Sequence, residues 1–243
     1  MSVIGRVVAV VVGVAAVVGT SYVVSTYVMP RFGVEARLAR AEAELVAIPA
    51  FQLIRQHDRA TYDGFMADLK AGVRAGKSHD EVVLELKPRM EQFVVKRLPI
   101  ASDQAVTQYV GVMARELRWL TKKDPNLCFR FLFPQQYGAL NVQQHIPQEL
   151  IDADLAALAA VVKSSAEAPQ AIPTQADAAD DLAAAFAPLQ QKHGDKLGVL
   201  DNPTDPSVDK AEACGIFGDL YETILTLPPE RSSRVLRFMF SQV

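Results

Sequence analysis

The chain has 243 residues, of which 50% are hydrophobic, and a formal net charge of −3 at pH 7. A mildly acidic protein has no electrostatic reason to bind nucleic acid, so we predict no nucleic-acid partner. The residues after position 30 are numerous enough for one sizeable domain, or for two small ones, with a proper hydrophobic core.

The N-terminal segment carries the strongest signal, because residues 7–29 contain no charged side chain. A helix over this range would be about 34 Å long, enough to cross a hydrocarbon core of about 30 Å. We therefore predict a transmembrane signal-anchor over residues 1–30, with the membrane as one partner. A cleavable signal peptide and a soluble core helix are the alternatives. Gly19, Thr20 and Ser21 would suit cleavage, but the apolar run resumes after them and is too long for a signal peptide.

The flanking charges bear on the orientation of this anchor. Arg6 precedes it, and Arg31, Arg37 and Arg40 follow it, which by the positive-inside rule favours a cytoplasmic body. A short tail followed at once by the anchor is, however, the layout of a signal-anchor whose C-terminal body is exported. We expect a single-pass inner-membrane protein of a bacterial-type cell envelope with a periplasmic body. A cytoplasmic-facing body is the alternative.

Helical patterns dominate the remaining chain, and we predict an all-α bundle of about seven to eight helices after the transmembrane helix. Residues 31–48 predict a helical stalk, and residues 49–163 predict the first part of the body. Within that part, Ser78 and Glu81 have the spacing of a capping box, which predicts a helix start. Another helix begins near Ser102, and its apolar residues recur three and four positions apart more clearly than in any other segment.

Prolines divide the next part of the body. The apolar run over residues 127–133 predicts a short buried helix. Residues 134–147 predict a long connection with a turn at Tyr137 and Gly138. Pro147 then occupies a favourable position for the start of another helix.

A change in composition marks the boundary of the second part. Residues 164–173, rich in Ala, Ser and Pro, predict a linker. Residues 174–243 predict the second helical part of the body. Its first helix begins at Thr174, ends near Gly194 and is rich in alanine.

The sequence has only two cysteines, Cys128 and Cys214, and both lie in apolar helical surroundings. One interpretation is a pair of reduced core thiols. The other is a disulfide between them, which requires an oxidising compartment and therefore an exported body. We take this disulfide as the candidate pairing. A zinc site is not predicted, because neither cysteine has a Cys or His partner at ligand spacing.

Catalytic and cofactor-binding motifs are absent. The sequence has no His-Glu-x-x-His, Gly-x-Ser-x-Gly, phosphate-loop, dinucleotide-binding or EF-hand motif, so we predict no catalytic, metal-binding or cofactor-binding residues. The enzyme alternative is an exported cell-wall hydrolase or lyase that uses a carboxylate, with Glu116 as the first candidate. Arg115 and Arg118 beside Glu116 favour an ion-paired helix face instead.

The densest aromatic region runs from Trp119, the only tryptophan, to Phe133. Core packing is one interpretation of these rings. The other is a docking face for a protein partner, since aromatic residues and arginine are enriched at interface hot spots. The candidates for such contacts are Arg115, Arg118, Trp119, Arg130 and Phe131. We therefore expect a non-catalytic binding or scaffold protein that acts through protein contacts in the envelope.

Overall fold

The computed structural model describes residues 33–242. These residues form twelve α-helices and no β-strand, which confirms the all-α fold class. None of the helices in this part of the chain is both long and apolar enough to cross a membrane. The predicted anchor over residues 7–29 lies outside the described residues and stays a prediction.

The α-helices in chain order are α1 (Val34–Ala47), α2 (Pro49–His57), α3 (Arg59–Arg74), α4 (His79–Arg97), α5 (Asp103–Lys123), α6 (Pro125–Leu132), α7 (Pro134–Tyr137), α8 (Val142–His145), α9 (Gln148–Glu167), α10 (Gln175–His193), α11 (Lys210–Leu225) and α12 (Pro229–Phe240). Short 3-10 helices follow α4 and α10, at Leu98–Ile100 and Gly194–Leu200. The longest of these helices is α5, with 21 residues.

The helix number exceeds the predicted seven to eight because the segment predicted as a stalk adds a helix to the body and two other segments divide further. Asp58 ends α2, and its side chain accepts a hydrogen bond from the Thr61 backbone N–H, so a new helix begins there. The predicted connection over residues 134–147 contains the one-turn helices α7 and α8. They flank the predicted turn at Gly138, whose φ of +85° suits a residue without a Cβ atom.

Two predicted helix starts are confirmed. Ser78 Oγ accepts a hydrogen bond from the Glu81 backbone N–H, and the Glu81 carboxylate accepts one from the Ser78 backbone N–H. Thr174 and Asp177 form the same reciprocal pair at the start of α10. Both arrangements satisfy backbone N–H groups that the first helical turn leaves without partners.

The segment predicted as a stalk forms α1, which packs against α2 and α3. Leu38 and Leu45 of α1 are buried in the core. On the outside of this contact, Lys70 Nζ of α3 lies 2.6 Å from Glu42 Oε2 of α1. The first described helix is thus joined to the body by both apolar and charged contacts.

The segment predicted as a linker, residues 164–173, is partly helical, since α9 continues to Glu167. The extended part that follows is held against the body by Arg237 of α12. Its guanidinium donates hydrogen bonds to the backbone oxygen of Pro99, at 2.9 Å, and to that of Ala171. This buried arginine therefore ties the linker to the 3-10 helix that follows α4.

Helix α5 lies at the centre of the body, in contact with α6, α9, α11 and α12. Its buried apolar side chains include Val106, Val110, Met113, Leu117 and Leu120. Burial of one such side chain contributes roughly 1.5–3 kcal/mol. Because α9 belongs to the predicted first part of the body and α11 and α12 belong to the second, the two parts share one hydrophobic core.

The two cysteines meet in this core. Cys128 of α6 and Cys214 of α11 are buried, and their sulfur atoms lie 2.06 Å apart. Their Cα atoms are 6.4 Å apart, so the pair is at disulfide distance. The two positions are separated by 86 residues. In the chain-entropy model, a cross-link that closes so long a loop stabilises the folded chain by about 4–5 kcal/mol.

Replacement of either cysteine by serine tests this link. We expect Cys128→Ser and Cys214→Ser each to lower the free energy of unfolding by about 3–5 kcal/mol, because both remove the same constraint on the unfolded chain. The double variant should lose no more than a single variant. Urea denaturation with and without a reducing agent measures these differences. Identical curves for the native protein under both conditions would contradict the link.

Candidate functional site

The predicted interaction residues differ in their exposure. Arg115 and Trp119 are exposed on α5, and Trp119 retains 45% of its accessible surface. Phe131 is completely buried. The guanidinium groups of Arg118 and Arg130 form hydrogen bonds within the chain. A partner can therefore reach Arg115 and Trp119 without breaking any contact described in this structure.

Arg118 joins α5 to α11. Its Nε donates a hydrogen bond to Glu222 Oε1 at 2.7 Å, and its Nη2 donates to both Glu222 and Asp219. The guanidinium fits there because Gly218 has no side chain: a Cβ atom at that position would lie 2.9 Å from Arg118 Cζ. The charge of Arg118 is compensated by Glu222 and Asp219 within the chain, so this residue does not support the hypothesis of a docking face for a partner.

Asp219 is the centre of this ion-pair cluster. Lys192 Nζ and His193 Nε2 lie 2.7 and 2.6 Å from Asp219 Oδ2. Burial alone would raise the pKa of Asp219, but hydrogen bonds from Lys192, Arg118 and His193 outweigh it and lower the pKa from 3.8 to about 2. Asp219 therefore stays charged and connects α5, α10 and α11.

Helix α6 carries most of the predicted aromatic region, and its rings face the core. Phe129 and Phe131 are at most 1% exposed, because α5 and α11 cover this short helix. Arg130 donates hydrogen bonds to the backbone oxygen atoms of Gly138 and Ala139, which holds the turn after α7. Phe131 and Arg130 thus support the fold and do not present a surface to a partner.

Trp119 is fixed at its indole nitrogen and exposed elsewhere. Its Nε1 donates a hydrogen bond to the His145 backbone oxygen at 2.8 Å. Arg115 and Lys122 lie four residues before and three residues after Trp119, on the same side of α5. Both are exposed, and neither forms an ion pair within residues 33–242. We call Arg115, Trp119 and Lys122 the Trp119 surface.

Glu116 lies on the buried side of α5, beside Asp154 of α9. The two side chains are 1% and 2% exposed, and Glu116 Oε1 and Asp154 Oδ2 have no hydrogen-bond partner among the described residues. Burial, together with the charge of Asp154, raises the pKa of Glu116 well above 4.5. Burial also raises the pKa of Asp154 to about 7. The pair therefore holds at least one proton at neutral pH.

This placement does not favour the enzyme alternative, because a polysaccharide cannot reach the Glu116 carboxyl in this structure. Two clefts, of about 490 and 470 Å³, lie elsewhere on the described surface, and Glu116 lines neither. Within residues 33–242, no three His, Cys, Asp or Glu side chains are grouped so that they could hold a metal ion.

Comparison of the chain with protein-family models, with curated proteins and with solved structures finds no significant match. No relative therefore supplies a function or a set of site residues. The class that the geometry defines is an all-α body with an exposed aromatic and cationic strip on its central helix.

Replacement of Asp154 by asparagine tests the proton held by the carboxyl pair. A carboxyl with a higher pKa in the folded than in the unfolded state binds protons more tightly when folded. The free energy of unfolding of the wild type should therefore fall as the pH rises from about 4 to about 7. The variant lacks this ionisation, and we expect it to be more stable than the wild type at pH 8 by about 1–3 kcal/mol.

Urea denaturation at pH 5 and pH 8 measures this difference. Asp152→Asn is the matched control, because Asp152 lies on the same helix and is exposed. It should leave the pH dependence unchanged. Two results would contradict the claim that the Glu116–Asp154 pair holds a proton at neutral pH. One is equal stability of the wild type at both pH values, and the other is a lower stability of Asp154→Asn than of the wild type at pH 8.

Proposed function

We propose that the chain is a non-catalytic binding or scaffold subunit of a bacterial-type cell envelope. Residues 7–29 would hold it to the inner membrane, and the helical body would face the periplasm. The observation that carries this proposal is the exposure of Trp119. This large hydrophobic side chain retains 45% of its solvent-accessible surface, whereas the other large apolar side chains of α5 are buried.

The Trp119 surface has the composition of an interface hot spot. Tryptophan and arginine are the residues most enriched among those whose truncation costs binding energy. Because the hydrogen bond to His145 already fixes the indole ring, little side-chain entropy remains to be lost on binding. This supports Trp119 as the anchor residue of the contact.

The charges around Trp119 indicate the chemistry of the partner. Arg115 and Lys122 flank the ring without an acidic partner among the described residues. Lys123 adds a third cation, and its Nζ lies 3.4 Å from the His145 backbone oxygen. A complementary protein surface would offer an apolar pocket for the indole ring and carboxylates around that pocket.

The cysteine pair supports a periplasmic body. Disulfides persist in oxidising compartments such as the periplasm and are rare in the bacterial cytosol. Cys128 and Cys214 lie at disulfide distance, although they are distant in sequence. Together with the layout of the predicted signal-anchor, this geometry favours an exported body over a cytoplasmic one.

Truncation of Trp119 tests the proposal. We expect Trp119→Ala to weaken retention of the partner in the native membrane by about 30-fold or more, which corresponds to about 2 kcal/mol. Its free energy of unfolding should change by less than about 1 kcal/mol, because the ring is half exposed. Quantitative co-purification from native membranes and urea denaturation measure the two effects.

Ile172→Ala is the matched control, since Ile172 is the other large hydrophobic residue exposed within residues 33–242, at 51%. It lies in the linker between α9 and α10 and should leave partner retention unchanged. Equal retention by the two variants would overturn the proposed surface. So would a loss of stability in Trp119→Ala that accounts for all of the lost binding.

A further inference from the structure

A cleft of about 470 Å³ lies between the N-terminal end of α3 and the C-terminal half of α4. Arg89, Lys96 and Arg97 line it, and Asp58 is the one carboxylate among its described lining residues. The whole chain has a net charge of −3, whereas basic residues outnumber acidic ones among the described lining residues of this cleft. The volume lies within the range of about 300–1,000 Å³ that is typical of small-ligand sites.

Arg97 is the most buried cation of this cleft. Its side chain is 16% exposed, and its only ion pair within the described residues joins Nη2 to Asp58 Oδ2 at the long distance of 3.4 Å. The guanidinium carbon lies 5.4 Å from the centre of the Phe93 ring. A guanidinium has five N–H donors. Most of these donors therefore remain for an acceptor in the cleft.

Arg89 is held in place at the side of the cleft. Its Nη2 lies 2.7 Å from Asp68 Oδ2, and its guanidinium occupies the space beside Gly64 of α3. A Cβ atom at Gly64 would lie 2.8 Å from Arg89 Cζ, so a larger residue there would displace the guanidinium. Because Asp68 compensates the charge of Arg89, the cations left for a ligand in this cleft are Lys96 and Arg97.

We propose that this cleft binds a small phosphate monoester. The oxygen atoms of a phosphate suit the forked donors of Arg97, and Lys96, which has no ion pair within the described residues, adds a second cation. Phe93 and Ile100, which also line the cleft, provide an apolar wall for the organic part of the ester. This binding site is separate from the Trp119 surface and does not depend on its role.

The position of the cleft favours a soluble ester over a membrane lipid. Glu35, near the start of α1, pairs with Arg74 at the C-terminal end of α3, with Oε1 and Nε 2.9 Å apart. Glu35, five positions after the end of the predicted anchor segment, therefore lies near that end of α3. Helix α3 has 16 residues and is about 24 Å long, and the cleft lies at its opposite end. A lipid headgroup beside the anchor would be far from Arg97.

Titration of the full-length chain in a neutral detergent with glycerol 3-phosphate tests the proposal, with isothermal titration calorimetry as the readout. We expect saturable binding, absent for glycerol. Arg97→Gln and Lys96→Gln should each raise Kd about tenfold, because each removes a charge that faces the phosphate. Lys96 is exposed, so its variant keeps the fold and preserves the test if Arg97→Gln does not fold.

Lys163→Gln is the matched control, since it removes an exposed cation from α9, outside both proposed binding sites, and should leave Kd within about twofold. A specific site should have a Kd well below about 10 mM. Lack of saturable binding up to that concentration of the ester would therefore overturn the proposal. Equal weakening by Lys163→Gln would do the same. Binding of dihexanoyl phosphatidic acid at least tenfold more tightly than glycerol 3-phosphate would assign the cleft to a lipid and contradict the soluble ester.

Discussion

The packing of α5 is the constraint on which the rest of the structure depends. Four helices contact it, and its apolar side is buried in the core. Its contact with α11 is also held by charge, because Arg118 lies over Gly218 and reaches Asp219 and Glu222. The cysteine pair joins α11 to α6, the next helix after α5. What remains exposed on α5 is a narrow strip, and Trp119 lies within it.

Two groups of buried or partly buried charges act on stability with opposite pH dependence. Asp219 has a lowered pKa, so its ion pairs stabilise the fold above pH 4 and are lost as the pH falls towards 2. Asp154 has a raised pKa, so its ionisation destabilises the fold as the pH rises towards 7. Because Arg118 and Glu116 lie on α5, both groups act on the same helix. The fold should therefore be most stable under mildly acidic conditions.

Local signals in the sequence were sufficient for the helical class and for several helix starts. The helix starts at Ser78 and Thr174 depend on side chains three positions apart, and the structure confirms both starts. The roles of Arg118 and Phe131 could not be predicted, because they depend on α11, about 80 or more residues away. An arginine beside an aromatic cluster has the same local pattern whether it pairs inside the chain or meets a partner. The absence of a side chain at Gly218 makes room for the Arg118 guanidinium, but this role is visible only once α5 and α11 are packed together.

The central claim is the proposal that the Trp119 surface is where the helical body binds its protein partner. Photo-crosslinking from position 119 in the native membrane tests it most directly, with benzoyl-phenylalanine in place of Trp119. The same substitution at Lys163, exposed on α9, is the control. We expect a discrete crosslinked partner from position 119 that is absent from position 163 and is lost when Arg115→Glu reverses the neighbouring charge. Identical products from both positions, or a product unaffected by Arg115→Glu, would contradict the claim.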